Sequence, residues 1–308
     1  PKVSLITLSA WWRSWNIDTS EADLVIATKY PTYLVNHPNK VLWLVHQHRP
    51  AYDLLGTSYS DIGDDPRDFA LRDFIVTADR VSIEECKIRC AISQTVSSRL
   101  QHYNDIHSDV LYPPPPLIGK YYCDKEEPYL LHVGRVCKIK RPELAISGLA
   151  KSNTPLKLKI VGNAESDSYL NSLRELAHKL GVSKQVEFLG RVSEDTLLEL
   201  YANCLGVVYC PLDEDYGFVT LEAFASSKPL VTTTDSGGAL EFSRHLENSV
   251  IASPTADSVG EMISRLFSMS SQQRHDLGLS GHSLLREKNI TSQSWDRIVS
   301  TLTASLTK

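Results

Sequence analysis

Two glutamates, Glu214 and Glu222, are separated by seven residues in the segment PLDEDYGFVTLEAFAS, residues 211–226. Glu214 falls in an acidic, turn-rich loop after the apolar run CLGVVYC, which predicts a buried strand. The apolar residues that follow Gly217 predict a helix, and the start of a helix offers unpaired N–H groups to an anion. Glu222 lies about five residues further on, roughly 7 Å along the helix axis. A single ligand with hydroxyls on both sides of a phosphate, such as a nucleotide sugar, suits this arrangement.

A basic loop follows the first strand predicted in the second half of the chain, in the segment VGRVCKIKRPE, residues 133–143. Arg135 stands where the strand ends, and Lys140 stands just before a helix that Pro142 opens. Because these cations lie at the carboxyl edge of a parallel sheet, they can grip a diphosphate, Arg135 by its fork and Lys140 as a point charge. A solvated basic loop is the alternative, and it describes Lys138 well.

These motifs, taken together and in order, resemble the retaining glycosyltransferases of the GT-B fold, family 4, also called glycosyl transferases group 1. The resemblance rests on Gly134-Arg135…Lys140, on the two glutamates around DYGFVTL, and on Gly237-Gly238-Ala239-Leu240-Glu241. The segment FLGRVSEDTLLELY, residues 188–201, also matches a family segment whose loop borders the nucleotide base. The match runs through most of residues 126–250. The glycine pair is otherwise read as a turn before a helix.

The resemblance implies an α/β protein of two Rossmann-like domains, each with a doubly wound parallel sheet. It implies that Glu222 holds the donor ribose and that Glu214 holds the sugar. Arg135 and Lys140 would stabilise the departing nucleoside diphosphate, a contribution of several kcal/mol when cations are preorganised in a closed cleft. With Glu214, the backbone of Tyr216, Gly217, Phe218 and Val219 would hold the sugar and phosphates, and Arg191 and Val192 would lie beside the base.

A histidine follows a predicted strand of the first domain in VLWLVHQHRPAYDL, residues 41–54. The family commonly has a histidine at this position near the transferred sugar, which selects His46 as a catalytic residue and His48 as the second choice. A lone histidine is also a common structural residue, and that alternative stays open. The family's usual proposal is front-face displacement assisted by the diphosphate, without a classical nucleophile.

Asp213-Glu214-Asp215 matches the D-x-D metal motif of the other large glycosyltransferase fold. We interpret it as a coincidence, because Arg135 and Lys140 already supply the positive charge that a metal would bring. We therefore expect no metal and no cofactor, with a GDP- or UDP-sugar as the donor substrate. Overall resemblance favours mannose and GDP slightly over other hexoses and UDP.

Alternating apolar runs and amphipathic stretches predict βα units in both halves of the chain. In the first half, Ser93 is the predicted N-cap of a helix. In the second half, the predicted strands are Tyr129–Val133, Leu156–Val161, Val186–Leu189, Gly206–Tyr209 and Pro229–Thr232. We expect an acceptor-side domain at residues 1–125, a nucleotide-sugar-binding domain at 126–285, and a final helix at 286–308 that packs back toward the first domain. The apolar run Val3–Leu8 predicts a first strand with no glycine-rich turn before it. Since family members begin with a strand and a glycine-rich loop, we expect that pair to be missing and the first domain to be incomplete.

The composition is that of an ordinary globular protein of 308 residues, with 42% hydrophobic and 22% charged residues. A net charge of −5 argues against a general nucleic-acid binder, for which a basic surface supplies most of the affinity. No apolar run reaches about 18 residues, so a membrane-spanning helix is not expected. The six cysteines form no CxxC pair, which favours reduced core thiols in a cytoplasmic protein over zinc or disulfide bonds.

The predicted reaction is hexosyl transfer to a hydroxyl of a saccharide or lipid-linked saccharide, with retention of anomeric configuration, in polysaccharide or glycolipid assembly. Contact with the inner face of the membrane stays open. Two other enzymes share the fold, a nucleotide-sugar epimerase and a phosphorylase. A two-domain protein that binds a sugar without chemistry is the alternative from another class, but it would not need Arg135 and Lys140 beside Glu222.

Overall fold

The computed structural model describes residues 3–63, 65–304 and 306. The chain forms two compact units, one from residues up to Pro113 together with those from Gln293 onward, and one from Pro114–Ser292. The boundary predicted from the sequence, between residues 125 and 126, lies C-terminal to this division, which follows Pro113. The intervening segment joins the second unit through its backbone, since the N–H of Asp124 donates to Ala202 O at 3.0 Å and that of Glu127 to Asn203 O at 2.8 Å.

The first unit contains a four-stranded parallel sheet whose strands follow one another in chain order. Its strands are β1 (Val25–Lys29), β2 (Lys40–His46), β3 (Arg89–Ala91) and β4 (Asp109–Val110). Its first helices are α1 (Val3–Trp15), α2 (Pro66–Glu84) and α3 (Gln94–Asn104). The predicted N-cap of α3 is confirmed, because Ser93 Oγ accepts the N–H of Val96 at 3.0 Å.

The prediction of a first strand at Val3–Leu8 is wrong, since these residues form the beginning of α1. In a short apolar run, periodicity alone does not distinguish a strand from a helix. Here the run continues through SAWWRSW, and a 13-residue segment is longer than a typical strand. Helix α2, which opens at Asp65 and Pro66, was not predicted either.

The last helix, α10 (Ser294–Thr303), belongs to the first unit. Its Ile298 and Leu302 are buried in one cluster with residues of β2, β3 and the end of β4, namely Val41, Cys90 and Leu111. Trp295 of α10 meets Trp43 of β2 edge to face at 5.8 Å between ring centroids. Apolar burial and aromatic contact therefore fix α10 on this sheet.

The second unit is a six-stranded parallel sheet with the order β10-β9-β8-β5-β6-β7. Its strands are β5 (Tyr129–Val133), β6 (Lys157–Val161), β7 (Val186–Gly190), β8 (Gly206–Val208), β9 (Leu230–Thr233) and β10 (Ser249–Ala252). Its helices are α4 (Pro142–Ser152), α5 (Asp167–Lys179), α6 (Glu194–Asn203), α7 (Phe218–Ala225), α8 (Ala256–Ser268) and α9 (Ser271–Glu287). Sequence periodicity predicted β5 to β9 but not β10, α8 and α9. The predicted fold class, an α/β protein with two parallel-sheet domains, is confirmed, and the second of the two described sheets has a doubly wound strand order.

The order of the second sheet reverses between β5 and β8. From β5 the chain adds β6 and β7 on one side, and then β8, β9 and β10 on the other. Loops that leave two such strands diverge to opposite faces and open a crevice at the carboxyl edge, where ligands of doubly wound sheets bind. The loops after β5 and β8 carry the two motifs singled out in the sequence.

No helix among the described residues is long and apolar enough to cross a membrane. Five of the six cysteines are buried, and Cys123 is exposed.

Candidate active site

Lys140 and Glu214 meet at the crevice between β5 and β8. The Lys140 ammonium forms an ion pair with Glu214 Oε2 and donates to Tyr209 Oη at 3.0 Å. The Tyr209 hydroxyl donates to the same carboxylate oxygen at 2.8 Å. The side chains of Lys140 and Glu214 are 16% and 18% exposed, so the pair is shielded yet open on one side. The structure thus brings together one predicted cation and one predicted carboxylate.

Arg141, a residue of the predicted basic loop, holds the β5–α4 loop in place. It adopts a left-handed backbone conformation, and its guanidinium forks onto the Asp235 carboxylate with two bonds of 2.7 Å. It also donates to the carbonyls of Cys210 and Pro211, both at 2.7 Å, and to Thr233 Oγ1 at 3.0 Å. One side chain therefore fixes the ends of three neighbouring strands. Partial burial raises the pKa of Asp235, but the Arg141 hydrogen bonds outweigh this and hold it below its usual value.

The double glycine supports the acidic loop through close backbone contact. The Gly238 N–H donates to Glu214 O at 2.6 Å. A Cβ on Gly237 would lie 2.5 Å from Glu214 O, and one on Gly238 would lie 2.6 Å from Asp215 O. Gly237 also has a φ of 57°, in the left-handed region that favours glycine. Glycine is required here by sterics, which supports the structural reading of this motif.

Helix α7 begins at Phe218, as predicted, and Gly217 caps it with a φ of 85°. Tyr216 packs edge to face on Phe218 and Phe242 at 5.0 and 5.6 Å and is 2% exposed. Its side chain is therefore core, and a ligand at this turn would meet backbone. Val219 is buried and Phe218 exposed.

Glu222 lies on α7 and is 9% exposed. Its Oε2 accepts the hydroxyl of Tyr201, which lies on α6, at 2.6 Å. Burial raises the pKa of the Glu222 carboxyl, and the hydrogen bond from Tyr201 lowers it in part. The Tyr201 hydroxyl therefore orients a carboxylate whose burial costs free energy when it is ionised.

Tyr209, which donates to Glu214, was not predicted from the sequence as a site residue. Burial raises its pKa first, the charge of Glu214 and its hydrogen bond raise it further, and the charge of Glu222 adds to this. Both carboxylates thus act on one phenol at the end of β8. The only sequence signal was a hydroxyl-bearing aromatic at the end of the apolar run CLGVVYC.

Three predicted site residues lie on the same sheet edge without a described contact to this cluster. Arg135 is exposed just after β5, behind Gly134 with a φ of 136°, and forms no ion pair with any described residue. Arg191 is exposed and Val192 half-buried in the loop from β7 to α6. Since α6 also supplies Tyr201, this loop is tied to Glu222 through one helix.

His46 and His48 belong to the first unit. His46 is the last residue of β2 and donates from Nδ1 to Gln47 O at 2.7 Å. His48 faces the Tyr30 ring at 5.0 Å. Burial lowers the pKa of His48, against the nearby charge of Asp61, which raises it. Gln47 between them is buried and donates to Asn104 Oδ1.

In the part of the chain that the structure describes, no group of three or more His, Cys, Asp or Glu side chains could hold a metal ion. The acidic turn at residues 213–215 instead directs its Glu214 side chain to Lys140 and Tyr209.

Known proteins resemble this chain most clearly in its second unit. The family model "Glycosyl transferases group 1" matches residues 118–282. An uncharacterised glycosyltransferase of Methanocaldococcus jannaschii is 34% identical over 146 residues, which is 46% of this chain and 36% of that protein. The human alpha-1,3/1,6-mannosyltransferase ALG2 is 27% identical over 124 residues, 40% of this chain and 29% of that protein. The matched segments thus span about a third of these relatives' lengths.

Solved structures share the fold over both units. Sucrose-phosphate synthase from Thermosynechococcus elongatus aligns with a TM-score of 0.74 at 15% identity, over 93% of this chain and 75% of that one. Anabaena HepE in complex with UDP and glucose aligns with a TM-score of 0.66 at 19% identity, over 77% of this chain and 75% of that one. Both the motifs and the fold therefore lead to one assignment. The chain belongs to the glycosyl transferases group 1 family and has the GT-B fold.

Proposed function

We propose that the crevice between β5 and β8 binds a nucleoside diphosphate sugar and that the protein transfers the sugar to a hydroxyl acceptor. The observation that carries this proposal is the contact among Lys140, Tyr209 and Glu214, next to the buried Glu222. A cation and two fixed carboxylates at a topological switch point suit a ligand that has a diphosphate between two polyhydroxylated groups.

The charge that develops during the reaction fits this cluster. Cleavage of the glycosidic C–O bond leaves negative charge on the diphosphate, and preorganised donors stabilise it. Lys140 would share its positive charge between Glu214 and the diphosphate. Arg135, exposed and without an ion pair among the described residues, would supply the second cation. The first backbone amides of α7 would complete the anion site.

The two glutamates would take different parts of the donor. Glu214, on the open side of the crevice, would accept hydrogen bonds from the sugar. Glu222, held by Tyr201, would accept the two ribose hydroxyls. Arg191 and Val192 would border the base. With Tyr216 buried, the contacts at the turn of residues 216–219 would come from its backbone.

We base the finer identity of the reaction on the family resemblance and on what similar proteins bind or transfer. Human ALG2 is a mannosyltransferase, and the HepE structure contains UDP and glucose. We propose a hexose donor, with mannose slightly favoured and GDP or UDP as the carrier. Transfer would retain anomeric configuration, need no metal ion, and use His46 beside the transferred sugar. The acceptor would be a saccharide or lipid-linked saccharide, reached at the inner face of the membrane where it is lipid-linked.

The test is calorimetric titration of the protein with UDP and GDP in the presence of EDTA. We expect one of them to bind saturably, and Lys140→Met to weaken that binding at least tenfold because the cation nearest the diphosphate is lost. Lys138→Met is the matched control, since Lys138 is an exposed cation of the same loop, and its affinity should equal that of the wild type.

If the nucleotide binds in EDTA but Lys140→Met and Lys138→Met lose the same affinity for it, the assigned role of Lys140 is refuted. No saturable binding of either nucleotide would refute the donor site itself. Once the base is known, product analysis with and without a saccharide acceptor separates a transferase from an epimerase, which changes the nucleotide sugar alone. A strict requirement for Mn²⁺ or Mg²⁺ would contradict the metal-free mechanism.

A further inference from the structure

A second cavity of the second unit lies at the opposite edge of the sheet from the proposed donor site. It has a volume of about 250 Å³ and is lined by Leu205 and Pro229, which precede β8 and β9. The first residues of α9 and the segment around Cys123 form its other walls. It is therefore separate from the loops after β5 and β8, which leave the carboxyl edge.

Lys228 lines this cavity and is only 5% exposed. Within residues 3–63, 65–304 and 306, no hydrogen bond or ion pair engages its ammonium group. A buried ammonium without a partner is costly, and proteins normally pair such a group. The cavity is the opening through which a counter-ion can reach it.

The amino end of α9 faces the same cavity. Ser270 caps this 17-residue helix, and a reciprocal bond with Gln273 completes the cap. The N–H groups of Ser271 and Gln272 keep no acceptor among the described backbone groups, and both residues line the cavity. A helix start with free amides favours an anion.

The other charges of the cavity leave Lys228 uncompensated. Arg274 forks onto Glu126, with Nε 2.9 Å from Oε2, so these two charges neutralise each other. Arg274 also donates to the carbonyls of Leu266 and Phe267, both at 3.1 Å, at the end of α8. Asp124 is exposed at the rim, where solvent and salt screen its charge.

We propose that this cavity binds a phosphate group between the Lys228 ammonium and the first two amides of α9. The ligand would be inorganic phosphate or the phosphate end of a small phosphomonoester, for which the volume leaves room. Three donors, one of them charged, then face one oxyanion, as charge-assisted phosphate recognition requires. This site stands independently of the proposed transferase reaction.

Calorimetric titration with sodium phosphate tests the proposal, against sodium chloride of equal ionic strength. We expect saturable binding to the wild type and at least a tenfold loss in Lys228→Met, which keeps the side-chain length. Lys184→Met removes an exposed lysine of the same unit and should bind phosphate like the wild type. Lys140→Met removes any phosphate binding at the proposed donor site, and the Lys228-dependent binding should persist in this variant.

Two further measurements keep the test decisive if Lys228→Met does not fold. Ser271→Pro removes one amide at the first helical position, where proline is well tolerated, and the extended Ser270 before it (ψ 157°) suits a following proline. This variant should bind phosphate several-fold more weakly. Phosphate should also slow alkylation of Cys123 by iodoacetamide, since this exposed thiol lines the cavity.

Tighter binding of glycerol phosphate than of inorganic phosphate would identify a phosphomonoester as the ligand, and equal binding would identify free phosphate. The proposal is overturned if phosphate gives neither saturable heat nor protection of Cys123. It is equally overturned if Lys140→Met abolishes the binding while Lys228→Met and Ser271→Pro preserve it.

Discussion

At the residue scale, Glu222 is a buried carboxylate that we propose binds the donor ribose. Its carboxyl is 9% exposed, and burial raises its pKa, so the group costs folding free energy when ionised. The Tyr201 hydroxyl offsets part of this cost through a bond of 2.6 Å. A purely structural position could use an amide or an apolar side chain instead.

The substitution Glu222→Gln separates binding from stability. The amide oxygen can still accept the Tyr201 hydroxyl, so the unfolding midpoint at neutral pH should stay the same or rise. Affinity for the nucleoside diphosphate should fall between about 10- and 100-fold, because hydrogen bonds to a charged acceptor contribute about 1.5–3 kcal/mol. Calorimetry and thermal unfolding measure both effects.

Glu199→Gln, on the exposed face of α6, is the matched control and should change neither quantity. A Glu222→Gln protein that binds nucleotide as tightly as the wild type would contradict the ribose assignment.

Asp79 is the corresponding buried carboxyl of the first unit. It is fully buried on α2, and its Oδ2 accepts the hydroxyls of Tyr33 and Tyr52 at 2.8 and 2.7 Å. Its Oδ1 has no hydrogen-bond partner among the described residues. Burial raises the pKa of Asp79 to about 7, although the two phenols lower it in part.

This pKa predicts a pH-dependent stability with a definite sign. The folded pKa lies above the unfolded value of 3.8, so the folded state holds the extra proton between these values and loses stability as the pH rises from about 4 to about 7. Asp79→Asn removes this effect. The stability of the variant relative to the wild type should therefore rise by at most ~1.4 kcal/mol per pH unit over that range and stay constant above it.

Urea unfolding of both proteins from pH 4 to 8 measures the difference, and groups that titrate in both cancel. An offset that does not change with pH would show that Asp79 is ionised throughout the range.

At the element scale, the site depends on how neighbouring strand ends are joined. The β5–α4 loop is not held by its own helix alone, because Arg141 ties it to the ends of β8 and β9. The acidic loop after β8 is held in turn by the glycine pair after β9. The loops after β5, β8 and β9, which are neighbouring strands of the sheet, thus share a single hydrogen-bond network that positions Lys140 against Glu214.

Arg141→Lys tests this network, because a lysine cannot reproduce the fork to Asp235 and the bonds to two carbonyls. We expect a loss of about 2–3 kcal/mol of unfolding free energy, given the partly buried pair, together with weaker nucleotide binding. Thermal and urea unfolding measure the first effect and calorimetry the second.

Arg244→Lys provides the comparison, since Arg244 is half exposed and its partner oxygen on Glu247 lies 3.7 Å away. It should cost less than about 0.5 kcal/mol. Equal losses in the two variants would show that the Arg141 fork has no special role.

At the scale of the whole molecule, the proposed chemistry is divided between two units. The residues of the proposed donor site all lie in Pro114–Ser292, whereas His46 lies in the first unit at the end of β2. The chain crosses into the second unit once and returns for α10, which packs on β2 itself. Donor binding and turnover should therefore respond to different substitutions.

His46→Ala should lower turnover well over tenfold, more than about 1.4 kcal/mol in activation free energy, while nucleotide affinity stays that of the wild type. His107→Ala is the control, because His107 is an exposed histidine of the same unit. Steady-state kinetics and calorimetry measure the two quantities. Near-normal turnover of His46→Ala would remove the role of this histidine.

The local order of residues was enough to predict much of the second unit. Strands β5 to β9 were found because each is a short, buried apolar run, and α7 was found because apolar residues follow Gly217. The basic loop and the glutamate motif also predicted that Lys140 and Glu214 contact the same ligand, and the two side chains form an ion pair. Parallel strands share an edge, so residues after two of them can meet although 74 positions separate them.

Other features depend on contacts that no local pattern contains. Val3–Leu8 is apolar enough for a strand, yet it begins a helix of 13 residues. Tyr209, Tyr201 and Arg141 looked like ordinary residues of a strand, a helix and a basic loop, and only their distant partners give them their roles.

The sequence by itself thus determined the family, much of the alternation of strands and helices in the second unit, and the residue types of the proposed site. The tertiary structure decided the sheet order, the ion pair of Lys140 with Glu214, the hydrogen bond of Tyr209 to Glu214, and the burial of Lys228. The physical reason is that periodicity and turn chemistry act over a few residues, whereas burial and electrostatics depend on every group that the fold brings near.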